Sequence, residues 1–456
     1  MQNSIDVVIC GAGIAGISAA YHLAVVHGIR NIRLVDPLPP LSLTSDKSTE
    51  CYRNWWPGPG NTMVAFMNRS IELMEAMAKE SGNVFHLNRR GYLYATADSS
   101  RLKDFIQAAS EPEALGAGEL RVHKGETGDP VYVPSQPDGF EQLPEGADLL
   151  LETGLIHKQF PNLTDSVIAA LHVRKAGWFS AQQLGAYLLD MARRHGAQVI
   201  TARVTDIIQQ RESIKAVRLS DGSQIVTPYF VNASGPHLQE VCRLMNVELP
   251  VYCELHQKVS FRDSLGVVPR DAPLLIWNDP QFLPWSYEER TFIREDEQLH
   301  WLLDEFPAGA HTRPEGGSDS NIALMLWEYK TRVMHPVFPP ILDDQFPEIA
   351  LRGLAGMLPS LKNYFEKFPR PTIDGGYYTK TGENRPLIGA LPVTGAFVIG
   401  ALSGYGLMAA CAAGELLAAH ITQSHLPAYA PAFSLARYSD PQYMQMLRNW
   451  GSTGQL

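Results

Sequence analysis

The chain has 456 residues, more than a single hydrophobic core usually holds, so we expect two domains. Hydrophobic residues make up 45% of the sequence and charged residues 19%, a composition that excludes a disordered or repetitive protein. The formal net charge of -10 disfavours nucleic acid and anionic membranes as partners. Five dispersed cysteines without metal-ligand spacing predict reduced thiols, a cytoplasmic location and no metal site.

The first elements predict a βαβ unit. The apolar run at residues 5–10 predicts a buried strand, the stretch GAGIAG follows at once, and apolar residues then recur at helical spacing up to Gly28. Residues 31–36 predict the second strand. Because the first strand begins by about Ile5, we expect no signal or transit peptide.

Three glycines between the first strand and the first helix fit the GxGxxG fingerprint. Gly11 permits the tight turn, Gly13 lets the backbone approach a pyrophosphate, and Gly16 lets helix and strand pack closely. The helix N-terminus favours the phosphate anions. Asp36 ends the second strand, where a carboxylate accepts hydrogen bonds from a ribose. The sequence therefore predicts an adenine dinucleotide, either FAD or NAD.

The middle of the chain predicts a more β-rich region. A helix is predicted over 66–80, a strand over 92–96 and a surface excursion with short strands over 116–139. Residues 180–200 predict a helix followed by a strand. The next segment predicts a β-meander with a turn at Asp221-Gly222.

After an alternating region at 250–370, which predicts an antiparallel sheet, the α/β pattern returns from residue 371. The apolar stretch 390–421 is interrupted by Pro392 and five glycines, so it predicts a strand, a glycine-rich turn and a helix rather than a membrane span. The predicted fold class is α/β with an α+β second domain: a Rossmann-type domain interrupted by a mainly antiparallel β-sheet substrate domain. The predicted ranges are 1–84, 150–240 and 371–456 for the dinucleotide-binding domain, and 85–149 and 241–370 for the substrate domain.

Two later stretches favour FAD over NAD. In VNASGP, residues 231–236, small residues end an apolar strand, as a strand close to a bound dinucleotide requires. Gly404 and Gly406 stand where the backbone can approach a ring system. The helix predicted from about Leu407 would place its N-terminus near negative charge on a reduced flavin.

Four blocks of the sequence resemble the D-amino-acid-oxidase-like flavoproteins, the family of sarcosine oxidase, glycine oxidase, dimethylglycine dehydrogenase and the L-proline dehydrogenase β-subunit. These blocks are CGAGIAGISAAYHLA, GWFSAQQLGAYLLDMARRHGAQV, YFVNASGPH and YYTKTGENRPLIGALPVTGAFVIGALSGYGLMAACAAGELLA. The resemblance implies an FAD-binding domain and oxidation of a C–N bond by hydride transfer to the flavin N5, followed by hydrolysis of the imine.

The resemblance also implies the residues at the cofactor. The segment after the second strand would cross the flavin and bring hydroxyl groups to its pyrophosphate or ring. The expected FAD contacts are Gly11, Ala12, Gly13, Ile14, Ala15, Gly16, Asp36, Pro37, Thr44, Ser45, Ser48, Thr49, Val204, Ser234, Gly235, Pro236, Gly404, Tyr405, Gly406, Leu407 and Met408.

The implied catalytic residues are Arg53, His256, Tyr378 and Tyr405, with Tyr252 as a further candidate to line the substrate pocket. Arg53 stands where related oxidases keep an arginine that grips the substrate carboxylate, which a bidentate guanidinium suits. Two alternatives stay open: His256 as a structural histidine, and the tryptophans at 55 and 56 as core residues rather than walls of the site.

Several positions depart from the family pattern. Gly376 stands where some members attach flavin through a cysteine. The segment after the second strand, where other members attach flavin through a histidine, has no histidine, so we expect non-covalent FAD. Met408 replaces a lysine that pairs with substrate carboxylate, which favours a larger or less acidic amine. The stretch IALMLW lacks the oxygen-activating lysine, which favours a dehydrogenase unless Lys258 or Lys330 substitutes.

The sequence thus predicts an FAD-dependent oxidoreductase that acts on a primary or secondary amine or an N-substituted amino acid. Its expected partners are this small molecule and either oxygen or another electron acceptor. The alternatives are a 2-hydroxy-acid dehydrogenase, a flavin subunit that needs a partner chain, and an NAD-dependent dehydrogenase.

Overall fold

The computed structural model describes residues 5–317, 319–448 and 450. Its α-helices are, in chain order, α1 (Ile14–Tyr21), α2 (Thr62–Ser81), α3 (Leu102–Ala114), α4 (Thr153–Gln159), α5 (Ala181–Arg194), α6 (Leu238–Arg243), α7 (Tyr287–Glu295), α8 (Phe346–Met357), α9 (Gly406–Thr422) and α10 (Pro441–Arg448). Its strands are β1 (Val7–Cys10), β2 (Ile32–Asp36), β3 (Cys51–Arg53), β4 (Tyr92–Thr96), β5 (Leu120–His123), β6 (Ala147–Leu150), β7 (Ala169–Val173), β8 (Ala176–Trp178), β9 (Gln198–Thr201), β10 (Val204–Gln210), β11 (Ser213–Leu219), β12 (Gln224–Val226), β13 (Tyr229–Asn232), β14 (Tyr252–Arg262), β15 (Leu274–Trp277), β16 (Ala310–Glu315), β17 (Ile322–Leu326), β18 (Val333–Met334), β19 (Thr372–Lys380), β20 (Leu387–Ala390) and β21 (Ala396–Gly400).

Within the described residues, a six-stranded sheet has the order β20-β21-β13-β1-β2-β9. Its strands pair in parallel except for β20 and β21, which pair antiparallel. The chain leaves β1 through α1 to β2 on one side, while β13 lies on the other side. In open α/β sheets, ligands bind beyond the carboxyl ends of strands at such a reversal of order. The predicted α/β class is confirmed.

Helix α9 packs tightly on α1 behind this sheet. A Cβ atom added to Gly414 would lie 2.3 Å from Ser18 Oγ, so only glycine lets the two helices approach this closely. The Ser18 hydroxyl donates a hydrogen bond of 2.7 Å to the carbonyl of Ala410. The charge of Glu415 is balanced by Arg69 of α2, whose Nε lies 2.8 Å from Oε2. An apolar helix of this kind suits a buried position, and the predicted strand, turn and helix over 390–421 are confirmed.

A second, larger sheet has the order β18-β14-β17-β16-β15-β4-β7-β6-β5 in the described part of the chain, and β19 also pairs with β14. Its pairs are antiparallel except β15 with β4 and β5 with β6. Helix α8 packs on one face of β16 and β17, and the opposite face meets the segment that follows β2. Strands β7 and β19 come from ranges assigned to the dinucleotide-binding domain, and the division into domains stays a prediction.

Two smaller sheets complete the fold. Strands β10, β11 and β12 form the predicted meander, and its turn is closed by a 3.0 Å hydrogen bond from the Gly222 N–H to the Leu219 carbonyl. Strands β3 and β8 form an antiparallel pair. No helix in the described residues is both long enough and apolar enough to cross a membrane.

Candidate active site

The turn between β1 and α1 has a shape that only glycine allows. Gly11 has a φ of +112°, and a Cβ there would lie 2.4 Å from the Ala233 carbonyl oxygen. A Cβ on Gly16 would lie 2.0 Å from the Gly11 carbonyl oxygen. A Cβ on Gly13 would meet only the Ser45 hydroxyl, at 3.2 Å. The turn therefore has the tight packing and the exposed backbone that a pyrophosphate cradle needs, and it fits FAD.

Asp36 is held against this turn. Its carboxylate accepts hydrogen bonds from the backbone N–H groups of Ala12, at 2.8 Å, and Leu38, at 2.9 Å. Pro37 lies between Asp36 and Leu38. The Ile14 N–H, next to Ala15 in the first turn of α1, donates to the Ser45 hydroxyl at 3.0 Å. The structure thus brings the predicted ribose ligand, the helix N-terminus and a predicted hydroxyl contact together.

The other predicted adenosine contacts lie near this turn. The Ser234 hydroxyl donates to Asn232 Oδ1 at 2.6 Å, at the end of β13. Gly235, with a φ of +56°, and Pro236 begin a short 3-10 helix after it. Val204 begins β10 and is buried in the same apolar cluster as Cys10. These positions surround the end of β1, and their contacts with the cofactor stay predictions.

Residues 44–53, which we call the crossing segment, connect the two large sheets. The Thr44 hydroxyl donates to the Tyr377 carbonyl on β19 at 3.0 Å. The Ser48 carbonyl accepts a 2.8 Å hydrogen bond from Lys258 Nζ on β14, while the Ser48 hydroxyl accepts from the Glu50 N–H at 3.0 Å. The crossing segment is thus held against the larger sheet by the Tyr377 carbonyl and the Lys258 side chain.

An arginine that no motif indicated holds the end of this segment. Arg313 on β16 is 1% exposed, and its Nε and Nη2 lie 3.2 and 2.8 Å from the Thr49 carbonyl oxygen. The carboxylate of Glu50 accepts a 2.8 Å hydrogen bond from the Ala181 N–H at the start of α5. Because Thr49 and Glu50 immediately precede β3, these contacts set the position of Arg53.

Beside the crossing segment lies a cavity of about 320 Å³. It is lined by the four predicted catalytic residues, Arg53, His256, Tyr378 and Tyr405. Thr49, Gly404 and Met408 also line it, so the start of α9 and the crossing segment form part of its wall. Tyr252 does not line it, because it lies on β14 four residues, roughly 13 Å of strand, before His256.

The turn that leads into α9 is tightly constrained. Ala401 and Ser403 have positive φ angles of 51° and 50°, a conformation that is unusual outside glycine and common at functional sites. The Ser403 N–H donates to the Thr379 carbonyl at 2.9 Å, which ties the turn to β19. Gly406 is the first residue of α9 and Leu407 the second. The helix N-terminus therefore lies at the edge of the cavity.

Arg53 is buried among aromatic rings. It is 3% exposed, its Nε donates to the Trp55 carbonyl at 3.1 Å, and its Cζ lies 4.7 Å from the Trp56 ring centroid and 5.8 Å from that of Tyr92. Such cation–π contacts fix the guanidinium plane. Both tryptophans lie in the buried apolar core, and Trp56 also lines the cavity.

Tyr405 forms the next part of this aromatic wall. Its ring meets that of Trp56 edge to face, with centroids 5.2 Å apart. Its hydroxyl donates a 2.6 Å hydrogen bond to the Asn384 carbonyl. Burial raises the pKa of Tyr405 far above its ordinary value, so its hydroxyl stays neutral and is directed to the backbone.

His256 lies between two carboxylates. Its ring stacks on Tyr378 with centroids 3.8 Å apart. Its Nε2 lies 3.2 Å from Glu254 Oε2, and its Nδ1 lies 3.0 Å from Glu328 Oε1. Glu254 is also paired with Lys380 at 3.0 Å. Burial lowers the pKa of His256, but the hydrogen bonds to both carboxylates raise it by more, so the net change is an increase. The hydrogen bond from His256 lowers the pKa of Glu254 to about 2, against the opposing effect of burial.

A second histidine, which the sequence did not indicate, faces the cavity. His311 on β16 is 5% exposed and lines the cavity. Its register partners are Leu326 on β17 and Ile276 on β15. Side chains alternate along a strand, so His311 and Arg313 point to the same face. The alternation in AHTRPE was the available signal, but it does not tell which face meets the cofactor.

Most of the stretch IALMLW forms β17, Ile322–Leu326, and that the family's oxygen-activating lysine would fall in this stretch stays a prediction. Lys258 on β14 is the register partner of Leu326, so it lies on the face that meets the crossing segment. Burial lowers the pKa of Lys258. Lys330, the other candidate, is exposed and has its Nζ 4.4 Å from the Trp301 ring centroid.

Comparison with known proteins establishes the family. A model of the FAD dependent oxidoreductase (DAO) family matches residues 6–420, so the chain belongs to that family, as the four sequence blocks predicted. The chain is therefore an FAD-dependent oxidoreductase.

Individual relatives are distant. Mitochondrial dimethylglycine dehydrogenase of Rattus norvegicus is 24% identical over 278 residues, which are 60% of this chain and only 29% of that protein. The crystal structure of L-proline dehydrogenase from P. horikoshii covers 96% of this chain and 99% of its own, with a TM-score of 0.72 and 19% identity. Glycine oxidase from Geobacillus kaustophilus covers 94% and 98%, with a TM-score of 0.70 and 17% identity. At these identities the likeness to the solved structures concerns the fold.

Proposed function

We propose that the protein oxidises the C–N bond of a primary or secondary amine, or of an N-substituted amino acid, to an imine that water then hydrolyses. The supporting observation is the cavity in which Arg53 and the aromatic side chains of Trp56, Tyr378 and Tyr405 meet the start of α9. Its volume of about 320 Å³ suits a small organic molecule. Dimethylglycine dehydrogenase and L-proline dehydrogenase, to which the chain is similar, bear names of the same chemical class.

The residues of the glycine turn, Asp36 and the crossing segment would hold FAD non-covalently. When bound, FAD supplies the acceptor for two electrons from the substrate. Non-covalent attachment is supported by Gly376, which offers no side chain for a bond, and an added Cβ there would lie 3.0 Å from Lys47 Cβ. The buried, unpaired state of all five cysteines in the described residues supports the proposed cytoplasmic location.

Arg53 would bind a carboxylate or another anionic group of the substrate. Its guanidinium lies in a low-dielectric wall, where a charge-assisted hydrogen bond is stronger than in water. The same wall disfavours a charged amine, because desolvation and the positive charge of Arg53 both lower the pKa of an ammonium group. The substrate nitrogen would therefore react as the neutral amine.

Met408 supports a larger or less acidic amine than an unsubstituted amino acid. It lines the cavity and is 6% exposed, so it adds apolar surface where related proteins place a lysine. The Met408 side chain offers no positive charge to a second carboxylate. We therefore propose that Arg53 takes the single anionic group and that Met408 contacts an apolar substituent.

We further propose that electrons leave to an acceptor other than oxygen. The cavity wall formed by β17 offers Leu326 rather than a lysine. Lys258 is the register partner of Leu326 on β14, and its Nζ donates a 2.8 Å hydrogen bond to the Ser48 carbonyl. If Lys258 performed the oxygen step instead, Lys258→Met would slow reoxidation in air without changing anaerobic reduction.

The test is an anaerobic visible spectrum of the FAD-loaded protein, titrated with a panel of secondary amines, N-substituted amino acids and 2-hydroxy acids. We expect an amine of the panel to bleach the flavin band, with slow recovery in air. Bleaching by hydroxy acids alone would refute C–N oxidation. A band that no compound bleaches would refute C–N oxidation by this chain alone and favour a flavin subunit that needs a partner chain. Acid precipitation should release all the flavin into the supernatant, and flavin retained in the pellet would contradict non-covalent binding.

A further inference from the structure

His311 is oriented so that one ring nitrogen is a proton acceptor. Its Nδ1 lies 2.8 Å from the carbonyl oxygen of Gly309. A carbonyl oxygen only accepts, so Nδ1 must hold the proton of the neutral ring. Nε2 then has the lone pair, on a side chain that lines the cavity.

The surroundings of His311 keep this ring neutral. The net effect of the surroundings is to lower the pKa of His311, mainly through burial and also through Arg53. The hydrogen bond to Gly309 and the charge of Glu328 oppose this decrease. On the far side of β16, the charges of α8 are satisfied locally, since Arg352 is paired with Glu348 at 2.9 Å. The other titratable or charged groups that line the cavity are Cys51, Tyr92, His256, Tyr329, Lys330, Arg332, Asp343, Tyr378 and Tyr405.

His256 has a different environment from His311. Both of its ring nitrogens face carboxylate oxygens, at 3.2 and 3.0 Å, so it is a donor on both sides when it carries its charge. Glu254 and Glu328 hold that charge in place. A charged ring without a lone pair is unable to accept a proton, so the histidine expected from the sequence is the poorer acceptor of the two.

We propose that Nε2 of His311 accepts the proton that an ammonium substrate must lose before C–N oxidation. This inference rests on the proposed function. In the step, one N–H bond of the ammonium breaks, its electron pair stays on the substrate nitrogen, and a new N–H bond forms at Nε2. The imidazolium is attracted by the carboxylate of Glu328, which lines the same cavity, and it releases the proton to water when the product leaves.

The transfer is energetically reasonable inside this cavity. A free alkyl ammonium, like a lysine side chain, has a pKa of roughly 10, and burial lowers such values by up to about 3–5 units. The positive charge of Arg53 acts in the same direction on an ammonium bound in the cavity. The substrate and His311 are thereby brought close enough in basicity for a rapid exchange.

The test compares the FAD-loaded wild type with His311→Gln, using the amine that bleaches the wild-type flavin. Stopped-flow reduction is recorded under anaerobic conditions from pH 6 to pH 10. We expect the variant to be at least about 100-fold slower near pH 7 and to recover as the pH approaches the pKa of the free amine. Added imidazole should restore part of the lost rate. The matched control is His425→Gln, at an exposed histidine far along the chain, which should leave the profile unchanged.

Two results would overturn the inference while leaving the proposed function intact. One is a His311→Gln profile that coincides with that of the wild type. The other comes from an NMR titration of the histidine ring protons in the FAD-loaded wild type, assigned by their loss in His311→Gln or His311→Asn: an imidazolium at pH 7 would exclude His311 as acceptor. If no amine bleaches the wild type, the proposed function fails and this inference fails with it.

Discussion

Substituting Glu383 by glutamine leaves a buried arginine without its counter-charge. Glu383 and Arg437 are each 4% exposed, and Glu383 Oε1 lies 2.7 Å from Arg437 Nη2. The Glu383 carboxylate also accepts hydrogen bonds of 2.9 Å from the hydroxyls of Tyr438 and Tyr443. Residues 381–386 are thereby fastened to the C-terminal segment, and the same stretch contains the Asn384 carbonyl that accepts the Tyr405 hydroxyl.

The magnitude follows from the burial of both partners. Removing one member of a buried ion pair costs about 3–5 kcal/mol, because the remaining charge stays desolvated. Glutamine preserves the shape and can still accept from the two tyrosines, so we expect a loss near the lower value, about 3 kcal/mol. Burial raises the pKa of Glu383, but Arg437 lowers it, and the net change is a decrease. The contribution of this carboxylate is therefore present at neutral pH and is lost as the pH falls through the acidic range.

The assay is urea unfolding followed by tryptophan fluorescence, at one fixed FAD concentration because bound ligand adds stability. The control is Asp190→Asn, which breaks a 2.7 Å pair with Arg194 whose side chains are 58% and 68% exposed. We expect the control to change the free energy of unfolding by less than about 1 kcal/mol. Adding Arg437→Met to Glu383→Gln should recover part of the loss. A Glu383→Gln loss no larger than that of the control would refute the reasoning.

Three further predictions concern the cofactor, the pH dependence and the substrate. Gly16→Ala places a Cβ 2.0 Å from a backbone oxygen and should abolish the flavin absorbance. The control Gly317→Ala, whose added Cβ meets nothing within 4 Å, should retain the absorbance. Equal flavin content in both variants would contradict the proposed pyrophosphate cradle. Burial lowers the pKa of His22 from 6.5 to about 4, so stability should fall by about 3 kcal/mol as the pH drops across that interval. His22→Leu should remove this loss in urea unfolding at pH 7 and pH 4, and an unchanged difference would disprove the assignment. Arg53→Lys should raise KM at least about 10-fold for a carboxylate-bearing amine but not for an uncharged analogue, and an equal effect on both would argue against a carboxylate contact.

The sequence predicted the parts of the fold whose cause is local. The turn after β1 needs Gly11 and Gly16 because a Cβ at these positions would lie 2.4 and 2.0 Å from backbone oxygens, too close for non-bonded atoms. Glycine spacing and a strand before it are visible in the sequence, so this element and its partner Asp36 were predicted together. The strand, turn and helix around Gly404 followed from the same kind of signal.

The residues that sequence reasoning missed depend on register between distant strands. His311 reaches the cavity because β16 pairs with β15 and β17 in one particular register. A shift of one residue would turn His311 and Arg313 to the side of α8. The pairing of Glu383 with Arg437 likewise joins positions 54 residues apart, and no periodic pattern links them.

The crossing segment links the proposed FAD site to the proposed substrate site. Its hydroxyl at Ser45 meets the N-terminus of α1, while its carbonyls at 48 and 49 are gripped by Lys258 and Arg313 of the large sheet. Because these contacts come from both sheets, we expect the crossing segment to be among the last parts of the chain to resist proteases during refolding. A substitution at either end should then alter flavin affinity and KM together, which makes paired changes in the two constants the signature of this connection.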